Sequence, residues 1–202
     1  LFHSYESVSS SPFIFHSFLF IGLGSIAFPQ LLYMVPMLWG SMIPFRAISI
    51  KSFLASIIGL MTPYWFIFGY ALYFNEMHIL LTPLREAAHL YPIDYSHLTL
   101  PEIASWGFIT LLLIVSGFHY WQISYMDKTR TRIYHSYLAI AGFWATLLSI
   151  LQPVHWCEWL SIQLICTAFL CGHLFSLTRN RFSGIFFIVT FVLYILLMSF
   201  NL

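Results

Sequence analysis

Six side chains in this sequence have the types that acid–base or anion chemistry uses: Arg85, Glu86, His89, Asp94 and His97, with Glu158 further along the chain. An arginine presents a planar fork that can hold a phosphate through two parallel bonds. A carboxylate within reach can take up a proton during glycosyl or phosphoryl transfer. Arg85, Glu86, Asp94 and Glu158 are therefore the candidate catalytic residues, and Arg85, His89 and His97 the candidate substrate-binding residues. The pattern is weakly specific, because solvated loop charges of this kind also pair locally for little energy. The chain carries no G-x-x-x-x-G-K-[ST] phosphate loop, no H-E-x-x-H and no G-x-S-x-G.

A second group lies inside apolar sequence. At about 100° per residue, Ser105, Ser116 and His119 share one helical face. So do His135, Ala139, Gly142, Thr146 and Ser149, and so do Glu158, Cys166, His173 and Ser176, with Ser161 beside them. Polar groups at membrane depth face protein or water rather than lipid, so Ser116, His119, His135, Thr146, Glu158 and His173 mark an intramembrane polar stripe on the inward faces. Small residues and hydroxyls also let helices pack closely, which accounts for most of the stripe without a ligand. His119, His135 and His173 lie close to one membrane boundary and can in principle approach one another. Histidines are comfortable at an interface on their own, so neither haem nor metal is expected and no cofactor is assigned. Cys157, Cys166 and Cys171 show no C-x-x-C spacing, and no disulfide framework is expected.

The elements that must position these residues follow from composition. Hydrophobic residues make up 60% of the 202 and charged residues only 7%, against roughly 25% charged in a soluble domain. The formal net charge of +1, with no basic run, excludes nucleic acid as a partner. A hydrocarbon core of about 30 Å takes about 20 apolar residues per helix. On that ruler the chain is all-α, a polytopic transmembrane helix bundle of about seven spans: 13–28, 29–43, Phe53–Phe74, Ile103–Ser124, Ile133–Leu151, Trp156–Leu177 and Phe182–Phe200. The first two divide at Phe28-Pro29, since proline removes a donor and disfavours helix before it. Both are short, and either is open to a re-entrant course. Pro63 is expected to kink the third span.

Residues 1–202 are read as one transmembrane domain with an external segment, 75–102. Within that segment Thr82-Pro83 reads as the start of a short interfacial helix running to Leu90, and Thr99 with Glu102 as a capping box. Short cytoplasmic loops carry the excess of Lys and Arg. Arg46 and Lys51, then Lys128, Arg130 and Arg132, then Arg179 and Arg181 fall on one side of a seven-span chain, leaving Arg85 as the one basic residue opposite. The Lys128–Arg132 loop is thus expected in the cytoplasm and the 75–102 segment outside. Leu1 starts without a signal peptide pattern, and further helices are expected upstream of it.

Ser25-Ile-Ala-Phe-Pro-Gln-Leu-Leu-Tyr33, Gly59-Leu-Met-Thr-Pro-Tyr-Trp65, Tyr91-Pro-Ile-Asp-Tyr95, Asp127-Lys-Thr-Arg-Thr-Arg132 and Gln152-Pro-Val-His-Trp156 resemble an uncharacterised family of polytopic inner-membrane proteins of Bacteroides-type bacteria. The resemblance covers nearly the whole chain. It implies the bacterial inner (plasma) membrane and additional N-terminal helices, and transfers no catalytic residue. The general look is similar to membrane enzymes that use polyprenyl-linked sugars, an analogy at fold level only. The leading expectation is an envelope-biogenesis component handling a lipid-linked glycan. Behind it stand a non-enzymatic subunit or scaffold of a membrane complex, and a small-solute transporter. Expected partners are the lipid bilayer, a lipid-linked or anionic lipid ligand and other membrane proteins; whether the chain is an enzyme is left open.

Overall fold

The computed structural model describes residues 11–89, 91–177 and 181–200, and every regular element among them is a helix. Arg179, which the charge reading used, lies outside the described residues. The chain, read above as one domain, divides into two compact units, Leu1–Leu90 and Tyr91–Leu202. The boundary falls inside the 75–102 segment. Among the described residues four helices are long and apolar enough to cross a membrane: α3 (Ile50–Phe74), α5 (Leu100–Ile123), α6 (Thr129–Leu151) and α7 (Trp156–Leu177) together with the short turn before it. Their exposed surface carries large apolar side chains such as Trp65, Phe66, Phe118 and Phe169, the outward face a helix bundle presents to hydrocarbon.

In the first unit, α1 (Ser11–Ala27) lies along α3. Ser11 Oγ is 3.4 Å from Ser52 Oγ, Gly59 faces Phe15 and Leu19, Gly22 faces Leu60 and Pro63, and Ser25 Oγ is 2.7 Å from Tyr64 Oη. The paired numbers rise together, so α1 and α3 run parallel. A parallel pair requires the chain between them to come back along the unit. The return is made by a 3-10 helix, Pro29–Met34, followed by α2 (Val35–Ser41) and a turn to Ser49. Tyr33 at the start of this path donates its hydroxyl to the Ala87 carbonyl at 2.7 Å, while Trp39 near its end donates Nε1–H to Ser56 Oγ at 3.0 Å. The segment 29–43 is thus not one helix. Pro29 and Pro36 each lack the N–H that a regular ladder needs, and the backbone answers with the tighter 3-10 form.

Local chemistry also moves helix ends from their sequence-based positions. α3 opens one turn early because Ser49 caps it, accepting the Ser52 N–H at 3.0 Å. It closes on Asn75, whose φ of 58° is left-handed, a region asparagine tolerates. Pro63 sits inside α3, buried against α1. The helix placed at Thr82-Pro83 is α4 (His78–Ala88). It begins a turn earlier, so Thr82 is not its cap and Pro83 is interior. α5 does open where the capping box was placed, with the Thr99 N–H donating to Glu102 Oε2 at 2.7 Å and the Thr99 hydroxyl to the same oxygen at 2.8 Å.

The second unit is an up-and-down bundle of α5, α6, α7 and α8 (Arg181–Phe200). Trp106 meets Ser149, Leu113 meets Gly142 and Tyr120 meets His135, an antiparallel α5–α6 pairing. Gly142 against Cys166 and His135 against His173 give the same sense for α6–α7. Leu113, Leu170 and Tyr120 form the apolar centre.

Candidate functional site

The external candidates divide between the two units and do not form one site within either. Arg85 and Glu86 are exposed on α4, and His89 is the exposed residue that ends it. Arg85 lies in the last turn of α4, where the helix dipole favours a cation. That placement supplies a local reason for the one basic residue the charge segregation left unexplained. In the second unit, Asp94 Oδ1 accepts the Ser96 N–H at 2.9 Å. This bond holds the Asp94 carboxyl below the usual aspartate range, helped by the Ser96 hydroxyl and His97. His97 Nε2–H donates to the Pro153 carbonyl at 3.1 Å, and Tyr95 Oη–H to the Ile150 carbonyl at 2.6 Å. His97 therefore straps the 91–99 loop onto the α6–α7 turn. Glu158 is exposed in the first turn of α7, a favourable place for an acid.

The stripe residues also separate. Ser116 and Thr146 are buried, and each hydroxyl bonds a carbonyl one turn back on its own helix, Leu112 at 2.7 Å and Gly142 at 2.9 Å. That is the mode in which hydroxyls pack within membrane helices. On α7 the stripe drawn through Glu158, Cys166, His173 and Ser176 is not one buried face: Glu158, Ser161 and Ser176 are exposed. Cys166 and the His173 side chain do face inward there, joined by Gln163 and Thr167. Gln163 is fully buried, donates Nε2–H to Thr110 Oγ1 at 2.9 Å and leaves Oε1 without a partner. The sequence reading passed over it, having followed Ser, Cys and ionisable groups only.

The three histidines do come together. The His135 and His173 rings stand 4.3 Å apart, each 5.9 Å from the Tyr120 ring, and His119 lies near His173. His173 Nε2 is 2.9 Å from Asp127 Oδ2, His135 Nδ1 is 3.0 Å from the Thr131 carbonyl, and the Tyr120 hydroxyl donates to the Arg132 carbonyl at 2.6 Å. Asp127, absent from the sequence candidates, is the acid that anchors this cluster. Its signal was an aspartate opening a basic run, 46 residues before its partner. Among the described residues no three or more His, Cys, Asp or Glu are arranged to hold a metal ion.

A groove lies between α5, α7 and α8. It holds two hollows of about 380 Å³ and 420 Å³, with Ile109, Leu164 and Tyr194 lining both. It runs from Glu102, Ser105, Trp156 and Ser161 at one end to Phe175 and Phe187 at the other. Along α7 from Trp156 to Phe175 this is about 28 Å at 1.5 Å per residue. The walls are mainly apolar: Phe108, Ile109, Leu112, Leu160, Leu164, Ala168 and Phe191. A further hollow of about 440 Å³ lies on the other side of Glu102 and Trp156, bounded by Tyr95, Leu98 and Trp106. Glu102 and Trp156 thus form a partition between two spaces at the same end of the unit.

No protein-family model, curated protein or solved structure matches this chain.

Proposed function

We propose that the chain is a polytopic protein of the bacterial inner membrane, a component of envelope biogenesis whose second unit seats the hydrocarbon chain of a lipid-linked glycan between α5, α7 and α8. The observation that carries this reading is the groove itself: about 28 Å of apolar wall, comparable to the roughly 30 Å of a bilayer's hydrocarbon. Its one carboxylate, Glu102, stands at one end with Ser105 and Ser161, while Thr167, Thr190 and Tyr194 punctuate the rest of the wall. A long single chain with a hydrophilic head has that pattern. The Glu102 carboxylate at the mouth can accept hydrogen bonds from the hydroxyls of a saccharide.

The topology proposed with it has seven crossings. The parallel run of α1 and α3 supports two passages before α3. The irregular 29–49 return lies along protein, the circumstance in which non-helical backbone is tolerated at depth. Basic residues at Arg46, Lys51 and Lys128 to Arg132 place those turns in the cytoplasm and the Glu102 end of the groove outside. The resemblance to inner-membrane proteins of Bacteroides-type bacteria agrees with that location. The rival readings draw less support. Gly22, Gly59 and Gly142 serve close contacts within the chain, while Gly69 and Gly107 stand open on the helix surface. Between Gln163 and His173 on α7, Leu170 is fully buried, closing the wet path a carrier needs.

Retained lipid tests the proposal. Gly172 lines the groove, and a β-carbon there meets nothing within 4 Å, so Gly172→Phe fills the track without crowding the backbone. Protein extracted in mild detergent should carry a long-chain lipid-linked saccharide detectable by mass spectrometry, and Gly172→Phe should lose most of it. Equal retention by both, or only bulk phospholipid in either, overturns the assignment.

A further inference from the structure

The hollow on the far side of Glu102 and Trp156 is not needed to seat a hydrocarbon chain, and its walls define a different occupant. Its volume is about 440 Å³, and Tyr95, Trp106 and Trp156 line it with Leu98, Ile103 and Glu102. A space of this size takes a small-molecule ligand. The loop that supplies Tyr95 and Leu98 is fastened at two points, the Tyr95 hydroxyl on the Ile150 carbonyl and His97 Nε2–H on the Pro153 carbonyl. The hollow is thus walled by anchored parts of the fold.

Aromatic side chains near the end of a spanning helix ordinarily form a belt, with their polar tips turned to headgroups and water. Two of these three do the reverse. Trp106 Nε1–H donates to Ser149 Oγ at 3.0 Å, Ser149 in turn donates to the Thr146 carbonyl at 2.8 Å, and the Tyr95 hydroxyl is spent on Ile150. What Tyr95 and Trp106 offer the hollow is therefore ring surface. Glu102 adds the polar contact. Both Thr99 donors go to its Oε2, at 2.7 and 2.8 Å, which leaves Oε1 to accept from an occupant. An acyl chain in this space would strip water from the carboxylate and return no hydrogen bond. A saccharide ring meets both walls, its C–H face packing on the aromatic rings and its hydroxyls donating to the carboxylate.

Glu102 and Trp156 also line one end of the chain groove. A head group attached to a chain lying in that groove has this hollow as its neighbouring space. Resting on the lipid-linked glycan as occupant of the groove, we infer that the hollow walled by Tyr95, Trp106 and Trp156 is a saccharide subsite, which seats a sugar ring of that molecule with a hydroxyl on Glu102 Oε1.

Capture from within the hollow tests this. Leu98 lines the hollow and Leu164 the groove, and neither lines both. A diazirine-bearing amino acid at each position of the full chain, activated in native membranes, gives adducts whose fragmentation shows whether sugar or hydrocarbon was captured. Position 98 should attach to the saccharide part, and position 164 to the hydrocarbon part, of the same molecule. Ile103→Trp narrows the hollow and leaves the groove lining untouched, so it should lose most of the position-98 adduct. A sugar-bearing lipid at 164 with phospholipid or nothing at 98 overturns the subsite while the chain groove stands. An unchanged position-98 adduct in Ile103→Trp does the same. Bulk phospholipid at both positions overturns both readings. Should Ile103→Trp fail to fold, the identity of the position-98 adduct decides alone.

Discussion

The carbonyl oxygen of Phe15 on α1 lies 2.5 Å from the position a β-carbon on Gly59 of α3 would occupy. The reciprocal contact is as close, with a β-carbon on Gly22 falling 2.6 Å from the Leu60 carbonyl oxygen. A backbone carbonyl can approach at this distance only where the residue facing it carries no side chain, the usual device for close helix approach in membranes. The parallel α1–α3 pair, and with it the return path through Pro29–Met34 and α2, depends on both glycines.

Gly59→Ala and Gly22→Ala should each destabilise the protein by about 1–3 kcal/mol, the usual range for overpacking, because the obstacle is backbone and cannot turn aside. Gly69→Ala, on the same helix with nothing within 4 Å of the new carbon, should be neutral or stabilising by up to about 1 kcal/mol from helix propensity. Thermal unfolding in detergent separates the two outcomes. Equal midpoints for Gly59→Ala and Gly69→Ala would mean that α1 and α3 are not in contact there.

Arg85 was singled out in the sequence as a cation on the wrong side, with phosphate capture as one explanation. Its place in the last turn of α4 needs only a positive charge. Arg85→Lys should therefore leave both fold and function intact, and Arg85→Ala should cost at most about 0.3–1 kcal/mol. Complementation of a deletion strain at matched membrane abundance measures it. Loss of function in Arg85→Lys would restore the phosphate fork as the reason for this residue.

How far the sequence reached depends on the type of information each element carries. α5, α6 and α7 are legible as long apolar runs because hydrogen-bond satisfaction in hydrocarbon leaves helix as the only option. The course from Pro29 to Ser49 is not legible, since three prolines and one glycine prescribe where a helix breaks but not what the chain does next. At the candidate sites, helical phase placed His135 and His173 inward correctly, while Glu158, Ser161 and Ser176 proved exposed: phase within α7 alone cannot say which face its neighbours cover. Asp127 and the groove were missed for a related reason. Both arise from pairing between elements far apart in sequence, His173 with Asp127 and α5 with α8, and no local pattern encodes that pairing.

The groove assignment is tested most directly by asking which lipid touches its floor. Leu164 walls both halves of the track, whereas Phe169 on the same helix is 60% exposed on its surface. A diazirine-bearing amino acid placed at either position and activated in native membranes will capture whatever lies beside it, to be identified by mass spectrometry. Position 164 should yield one long-chain, sugar-bearing lipid enriched well above its membrane abundance, and position 169 the bulk phospholipid mixture. The same bulk mixture at both positions would contradict a dedicated lipid-linked occupant.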